Sequence, residues 1–525
     1  MSNQGEWTTQ GQSAPGWQYP AQPPRGPSAP PARSGTGSTW GLLLALPAGL
    51  LLVTQQILPA VQTILIAADT ADGAGPRDVP PEFITGLLAT LTLGAVFAIV
   101  GVGIGLAIGA ALRRGSRAVA QLGLGLLGAT LVVFAPLVHS FAVLERAGLG
   151  SIWPHLALVV VPALVIGAVL GVTSRSARVT ISVAVVVVIA GAAWSAQSDS
   201  GHIMGIASPG SDIYRLGFAM FDFPTAALLS VLLTVPISLL GIVAMVVLLA
   251  GRGRLRLAAQ DAVRPASGTA GVVGVLIAGV VAIGALILAW PWVVRTLSFG
   301  DAGTNAAAIL GRTAMLDIGN AAVLTLVCGS AAIGIGYLRP AGAASPWLLL
   351  VFSPWFFTGI LPTIIARFDA AQVSGTQGVE PYGGLTPPFV VVPLLVLLTF
   401  LADGARRARD EGYRIPMGRV IALGLLAVAF TLWVQRQMTL HTIVFAYGTE
   451  VPAAQFTLLT GLMRRAEPAI GLLVPLPVLV LAAALFAIGV ASFARTSLLV
   501  PGGQAVPGGQ AVPGGQAVPG GQNGR

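Results

Sequence analysis

The strongest chemical signal in this sequence is a pair of polar side chains within a largely apolar stretch. Asp317 and Asn320 are three residues apart, which places them one turn apart on one helix face. Such side chains are costly in hydrocarbon and usually face water or a polar partner. They are candidates for lining a pathway, and the alternative is that both meet water at the helix end. Gln55 and Gln56 give a weaker signal and are more often packing residues.

The other residues that could do chemistry are too scattered to form a catalytic or metal site. The four histidines have no metal-binding spacing. They are His139, His155, His202 and His441. The single cysteine, Cys328, allows no intrachain disulfide. The segment 123–128 matches a dinucleotide-binding fingerprint, but that motif needs a strand before it and a helix after it. We therefore expect no enzyme, no cofactor, no metal and no ATPase within this chain.

The composition indicates a membrane protein. The chain has 525 residues, of which 55% are hydrophobic and 9% are charged, whereas a soluble domain carries about 25% charged residues. Long apolar runs recur from Gly41 to Phe493, so the bilayer is the expected solvent. The sequence predicts an all-α, polytopic bundle. Its net charge of +9 comes from arginine in short loops, which points to membrane topology rather than to nucleic acid.

Twelve apolar stretches are long enough, or nearly so, to be membrane spans. We predict spans near 40–66, 83–112, 118–141, 152–172, 179–195, 223–249, 271–294, 316–338, 346–366, 387–401, 420–435 and 468–493. With the N-terminus inside, fifteen arginines fall in the inner loops and nine in the outer loops, as expected for cytoplasmic termini. Arginine in place of lysine, with abundant alanine, glycine and valine, indicates a bacterial cytoplasmic membrane.

The chain divides into two similar halves flanked by low-complexity tails. We expect a disordered Pro/Gly/Gln-rich tail over 1–39, a first six-span half over 40–250, a basic cytoplasmic linker over 251–270 and a second half over 271–495. A disordered tail over 496–525 holds the PGGQAV repeat.

The evidence for duplication is a set of short matches in the same order. Leu91-Thr92-Leu93 and a following Gly-x-Gly in span two recur at Leu324-Thr325-Leu326 in span eight. Val-Phe-Ala-Pro ending at Pro136 in span three recurs as Val-Phe-Ser-Pro ending at Pro354 in span nine. Six spans per half make a parallel repeat about an axis along the membrane normal. We predict that spans two and eight face each other across a central pathway.

The order of these features resembles the permease subunits of carbohydrate-type ABC importers. The resemblance covers roughly 80–495. It rests on a basic turn over 113–117 between two apolar spans, on Pro209–Phe218 before span six, and on Ala446–Glu450 near the end of the second half. It implies two fused permease halves that transport a small solute, with carbohydrates as the solute class that the family suggests. It also implies a cytoplasmic ATPase and an extracytoplasmic solute-binding protein as partners.

The resemblance also implies a loop that docks the ATPase between the fourth and fifth spans of each half. The second half keeps Asp403-Gly404-Ala405 there, without the Glu-Ala-Ala that precedes it in the family. The first half has only Thr173–Arg178, which is too short for a docking helix. The alternatives are a non-transporting membrane scaffold derived from a permease and, ranked lower, an ion-coupled secondary carrier with Asp317 as its carboxylate.

Overall fold

The computed structural model describes the membrane-type body of the chain. The described residues are 38–68, 79–135, 156–197, 208–257, 269–359, 361–374, 388–410, 415–436, 454, 457–458 and 469–499. The predicted tails, apart from a few residues next to the body, and all four histidines lie outside them.

Helices supply almost all of the secondary structure. They are α1 (Trp40–Ala68), α2 (Pro81–Arg113), α3 (Arg117–Val133), α4 (Leu156–Thr173), α5 (Ala177–Ala196), α6 (Pro209–Tyr214), α7 (Phe223–Ala250), α8 (Thr269–Arg295), α9 (Ala306–Leu338), the 3-10 helix α10 (Gly342–Trp355), α11 (Leu361–Ser374), α12 (Pro388–Asp410), α13 (Met417–Gln435), α14 (Ile470–Leu473) and α15 (Leu476–Arg495). Two three-residue strands, β1 (Arg254–Arg256) and β2 (Ser497–Leu499), pair antiparallel.

Within the described residues, nine helices are long and apolar enough to cross a membrane. The prediction of a multi-pass, all-α membrane protein is therefore confirmed at this level. Three predicted spans are not among the nine. The third is described as a shorter apolar helix that ends at Val133, before the non-helical Phe134 and Ala135, and the rest of that predicted span lies outside the described residues. The ninth is divided between α10 and α11, and the tenth, α12, carries charged residues in its last turns.

Small residues let the helices of the first half pack closely. Gly101, Gly105 and Gly109 repeat along one face of α2, which packs extensively against α4. A Cβ atom at Gly101 would lie 2.7 Å from the carbonyl oxygen of Val160, so a side chain there would force the helices apart. Their spacing of four residues on one helix face indicates a packing surface, and the structure shows the close approach.

The body contains two large apolar cores, and each mixes the two halves of the sequence. One core is built mainly from α1 and α7 of the first half with α9 to α12 of the second. The other is built mainly from α8, α13 and α15 of the second half with α2, α3 and α4 of the first. The halves are therefore interlocked rather than laid side by side.

Candidate functional site

A cavity of about 520 Å³ lies where helices of both halves meet. From the first half its wall takes the ends of α3 and α7 and long stretches of α4 and α5. From the second half it takes α12, α13, the end of α15 and Phe356 just after α10. Neither α2 nor α9 contributes to the wall. The prediction that spans two and eight face each other across the pathway is therefore wrong for this cavity. Both helices instead present exposed apolar side chains, such as Ile99 and Leu326.

The wall of the cavity is apolar along its whole length. Its polar side chains, among the described residues, are Ser182, Thr431 and the indole of Trp194. The remainder are valine, leucine, isoleucine, alanine, glycine, proline and phenylalanine. A site for a polar solute needs several convergent hydrogen-bonding groups, because buried polar groups without partners are costly. This wall suits a molecule, or part of a molecule, that is itself apolar.

Aromatic rings from both halves line one end of the cavity. Phe134, at the end of α3, lies with its ring centroid 5.5 Å from that of Trp194 and 5.5 Å from that of Phe430. The indole N–H of Trp433 donates a hydrogen bond of 2.7 Å to the carbonyl oxygen of Phe134. The end of α3 is thus held in place by a residue of the second half. The rings of Phe134, Trp194 and Phe430 pack together at this end of the cavity.

The opposite end of the cavity is bordered by the segment that follows α7. Gly251, Gly253 and Leu255 belong to the wall, and Leu255 and Leu257 are buried in a small apolar cluster with residues of α12 and α13. Arg252 and Arg254 lie between these wall residues and are exposed. Arg252 adopts a positive φ of 51°, which turns the chain sharply from α7 into β1. A basic strand therefore follows the rim of an apolar cavity.

Asp403 is the acidic centre of this basic end. One of its carboxylate oxygens pairs with Arg339, and the other pairs with Arg407 at 2.7 Å. Burial, partly offset by Asp403, lowers the pKa of the Arg407 guanidinium to about 10. Burial also lowers the pKa of Arg254, and the positive charges of Arg339 and Arg252 lower it further. Both arginines remain charged at neutral pH, and positive charge exceeds negative charge around this carboxylate.

The predicted ATPase-docking residues lie at this same place. Asp403, Gly404 and Ala405 are in the helix α12, which continues to Asp410, rather than in a loop. Asp403 and Ala405 are both buried. A Cβ atom at Gly404 would lie 2.7 Å from the carbonyl oxygen of Leu255, so glycine is needed for β1 to approach. These residues hold the linker segment against α12, and their docking role stays a prediction.

The predicted pathway residues lie away from the cavity. Asp317 and Asn320 are half-buried on α9, and neither belongs to the cavity wall. The carboxylate of Asp317 pairs with the guanidinium of Arg436 at 2.8 Å. Arg436 also donates a hydrogen bond to the carbonyl oxygen of Leu473, the last residue of α14. The pair therefore connects three helices of the second half.

A side-chain amide bridges the break between α10 and α11. The Gln197 side chain donates a hydrogen bond of 2.8 Å to the carbonyl oxygen of Phe357 and accepts one of 2.6 Å from the N–H of Gly359. Both backbone groups are buried and lack helical partners. Gln197 follows α5, so a side chain of the first half supplies the hydrogen-bond partners for backbone groups at the helix break of the second half.

The sequence alone did not single out Gln197, Arg436 or the cavity wall. Gln197 and Arg436 each follow an apolar helix and look like ordinary interfacial residues in the sequence. The wall residues have the same composition as residues that fill a core. The sequence did contain one indication that Gln197 and Arg436 occupy corresponding positions. Trp194-x-x-Gln197 at the end of α5 matches Trp433-x-x-Arg436 at the end of α13.

No protein-family model matches this sequence, and no curated protein matches it. Among the described residues, no group of three His, Cys, Asp or Glu side chains could hold a metal ion.

Proposed function

We propose that this chain is a permease-like membrane transport protein in which two parallel six-span halves enclose a path for an apolar or amphipathic small solute. The observation that carries the proposal is the 520 Å³ cavity at the junction of the halves. Its wall is built from the third to sixth predicted spans of the first half and from the ninth to twelfth of the second. Corresponding spans of two parallel repeats would line a path on their common axis in this way.

The pattern of helix packing supports the duplication. The first helix of each half packs on the second helix of the other half, as α1 does on α9 and α8 on α2. The last helix of each half packs on the third element of the other half, as α7 does on α10 and α15 on α3. These four contacts form two pairs in which the halves are exchanged, which is what a two-fold relation requires.

The contacts between helix ends support one common inner side. Arg178 donates a hydrogen bond to the carbonyl oxygen of Ala250, and Arg419 donates one to that of Arg495. These residues come from four stretches that the arginine distribution assigns to the cytoplasm. Twelve spans with cytoplasmic termini would bring them together, and we place the protein in a bacterial cytoplasmic membrane.

The apolar wall narrows the solute class that the resemblance suggests. Sugar hydroxyls would need hydrogen-bond partners along the path, and Ser182 and Thr431 supply few of them. We therefore favour an apolar or amphipathic solute over a carbohydrate.

A second candidate is a non-transporting membrane partner derived from a permease. The observation in its favour is the burial of Asp403 and Ala405, together with the three-residue connection between α4 and α5. An ATPase would find little exposed chain at either predicted coupling point. Co-purification of a cytoplasmic ATPase with the tagged chain would count against this candidate.

Cysteine accessibility tests the transport proposal directly. Cys328 is the single cysteine, so Cys328→Ala gives a background for Ser182→Cys and Thr431→Cys on the cavity wall. Each variant is treated in sealed membrane vesicles of either orientation with a small, membrane-impermeant thiol reagent. A transport path predicts that both positions react from both aqueous sides. Leu425→Cys, on an exposed face of α13, is the lipid-facing control and stays unreactive. Absence of reaction from one side at both cavity positions would overturn the proposal.

A further inference from the structure

We infer that the cavity binds an anionic amphiphile, an acidic membrane phospholipid, with an acyl chain inside the cavity and the headgroup on the arginine-rich segment 252–256. The inference deepens the proposed function by naming the ligand class of its cavity. Three features of the described residues carry it, namely the length of the apolar wall, the arginines at its rim and the charge balance around Asp403.

The cavity has the length of a lipid chain. The wall includes Val179 near the start of α5 and Trp194 near its end, and these two positions are about 22 Å apart at 1.5 Å per residue. One leaflet of a bilayer has a hydrocarbon thickness of about 15 Å. The apolar wall is therefore long enough to enclose an extended acyl chain, and its polar groups are too few to hold a polar molecule of that length.

The arginines of segment 252–256 lie at the end of the cavity because they alternate in sequence with residues of its wall. Arg252 and Arg254 flank the wall residue Gly253, and Arg254 and Arg256 flank the wall residue Leu255. Neighbouring side chains of a strand point in opposite directions, so Leu255 packs in the wall while Arg254, on the other face of β1, is exposed to solvent, where a lipid headgroup would lie. Arg178 directly precedes the wall residue Val179. An anionic headgroup at the inner end of the cavity would meet arginines from two elements.

The charge balance favours an anion over a neutral headgroup. Both carboxylate oxygens of Asp403 are engaged by Arg339 and Arg407. The positive charge of Arg252 lowers the pKa of Arg254, and both side chains are exposed. Four arginines with one aspartate leave an excess of three positive charges here. A phosphodiester would offset part of this repulsion, and guanidinium groups bind phosphate oxygens in a forked geometry.

Quenching of tryptophan fluorescence by brominated acyl chains tests the inference. The full chain is reconstituted in nanodiscs of phosphatidylcholine that contain brominated phosphatidylglycerol or brominated phosphatidylcholine. Trp194 lies in the wall, so the difference between the wild type and Trp194→Phe reports the cavity. We expect this component to be quenched at a several-fold lower mole fraction of the acidic lipid than of the neutral one. Equal quenching by both lipids would overturn the headgroup assignment, and no quenching of this component would overturn the lipid site.

Matched variants distinguish binding of the acyl chain in the cavity from binding of the headgroup by the arginines. Arg252→Gln with Arg254→Gln should abolish the preference for the acidic lipid, whereas Arg114→Gln with Arg175→Gln, which removes the same charge from exposed positions, should preserve it. Ala427→Phe takes up space in the cavity and should reduce quenching by both lipids, while Leu425→Phe on the exposed face of the same helix should not. Size-exclusion profiles and melting curves show whether each variant folds.

Two further comparisons identify the source of the anion and distinguish failure of lipid binding from failure of transport. Inorganic phosphate or glycerophosphate at millimolar concentration should not compete, because neither fills the apolar cavity; full competition would mean a free-phosphate site and would overturn the lipid assignment. Lipid binding without two-sided cysteine accessibility would refute transport alone. Two-sided accessibility without lipid binding would refute this inference alone.

Discussion

The side-chain amide oxygen of Gln197 accepts a hydrogen bond of 2.6 Å from the backbone N–H of Gly359, across a break between two helices of the other half. The counterpart is the hydrogen bond of 2.7 Å from Trp433 to the carbonyl oxygen of Phe134. In each case a residue at the end of the fifth predicted span of one half bonds to backbone that follows the helical part of the third predicted span of the other half. This exchange ties the two halves together where a helix cannot satisfy its own hydrogen bonds.

Removing the Gln197 amide should destabilise the second half at this break. Gln197→Leu leaves a buried N–H and a buried carbonyl without their side-chain partners, which should lower the free energy of unfolding by about 2 kcal/mol. Hydrogen exchange at Phe357 and Gly359 should rise at the same time. Gln197→Glu keeps an acceptor for Gly359 but has no donor for Phe357, so we expect an intermediate effect.

The control for this prediction is Gln121→Leu on α3. Gln121 is half-buried, as Gln197 is, but lies within a regular helix. Its replacement should change the melting temperature little. An equal loss of stability in both variants would mean that the break does not depend on the Gln197 amide.

Neutralising Asp403 should loosen the linker segment more than it perturbs the helices. Asp403→Asn leaves Arg339 and Arg407 without their carboxylate, and loss of one partner of a buried pair costs about 3 kcal/mol. Asp403 raises the pKa of Arg407, so the variant lowers that pKa further and leaves the neighbouring arginines to repel one another. Limited proteolysis should cut the chain faster near Arg254.

Asp410 offers a matched control for Asp403. It lies on the same helix and pairs with Arg406 at 3.5 Å, but its side chain is 55% exposed. Exposed ion pairs contribute about 0–1 kcal/mol. Asp410→Asn should therefore leave proteolysis unchanged. If both variants are cut at the same rate, Asp403 does not hold the linker segment.

The pair of Asp317 and Arg436 should be coupled in a double-mutant cycle. Both side chains are mostly buried, and Arg436 also binds the carbonyl of Leu473. Asp317→Asn and Arg436→Gln should each destabilise the protein, and their combination should be less harmful than their sum by about 1 kcal/mol. Asp369→Asn, at an exposed position on α11, should be nearly neutral. Simple additivity of the two changes would mean that the ion pair does not form.

The sequence contained more information about the helices than about their partners. The apolar runs predicted nearly every long helix, and the glycine series of α2 predicted a close packing surface, because both depend on local spacing. The partners of Asp403 and Asp317 were not predictable, since Arg339 and Arg436 are distant in sequence and look like other loop arginines. The cavity was missed for a different reason. Its wall uses the same valine and leucine residues as the cores, and only the three-dimensional arrangement leaves space between them.

Membrane topology can be tested with two reporter fusions. We predict that a reporter fused after Gly300 lies outside and that one fused after Arg525 lies inside. The physical reason is the excess of arginine in the predicted inner loops, because short basic loops are retained in the cytoplasm. Gly300 begins the short 3-10 helix between α8 and α9, so it marks the opposite side from the arginines that contact Ala250 and Arg495. A fusion after Asp261, in the basic linker, is the internal control and should report inside. If the fusions after Gly300 and Arg525 report the same side, the number of spans between them is not five, and the pairing of the two halves as parallel repeats is wrong.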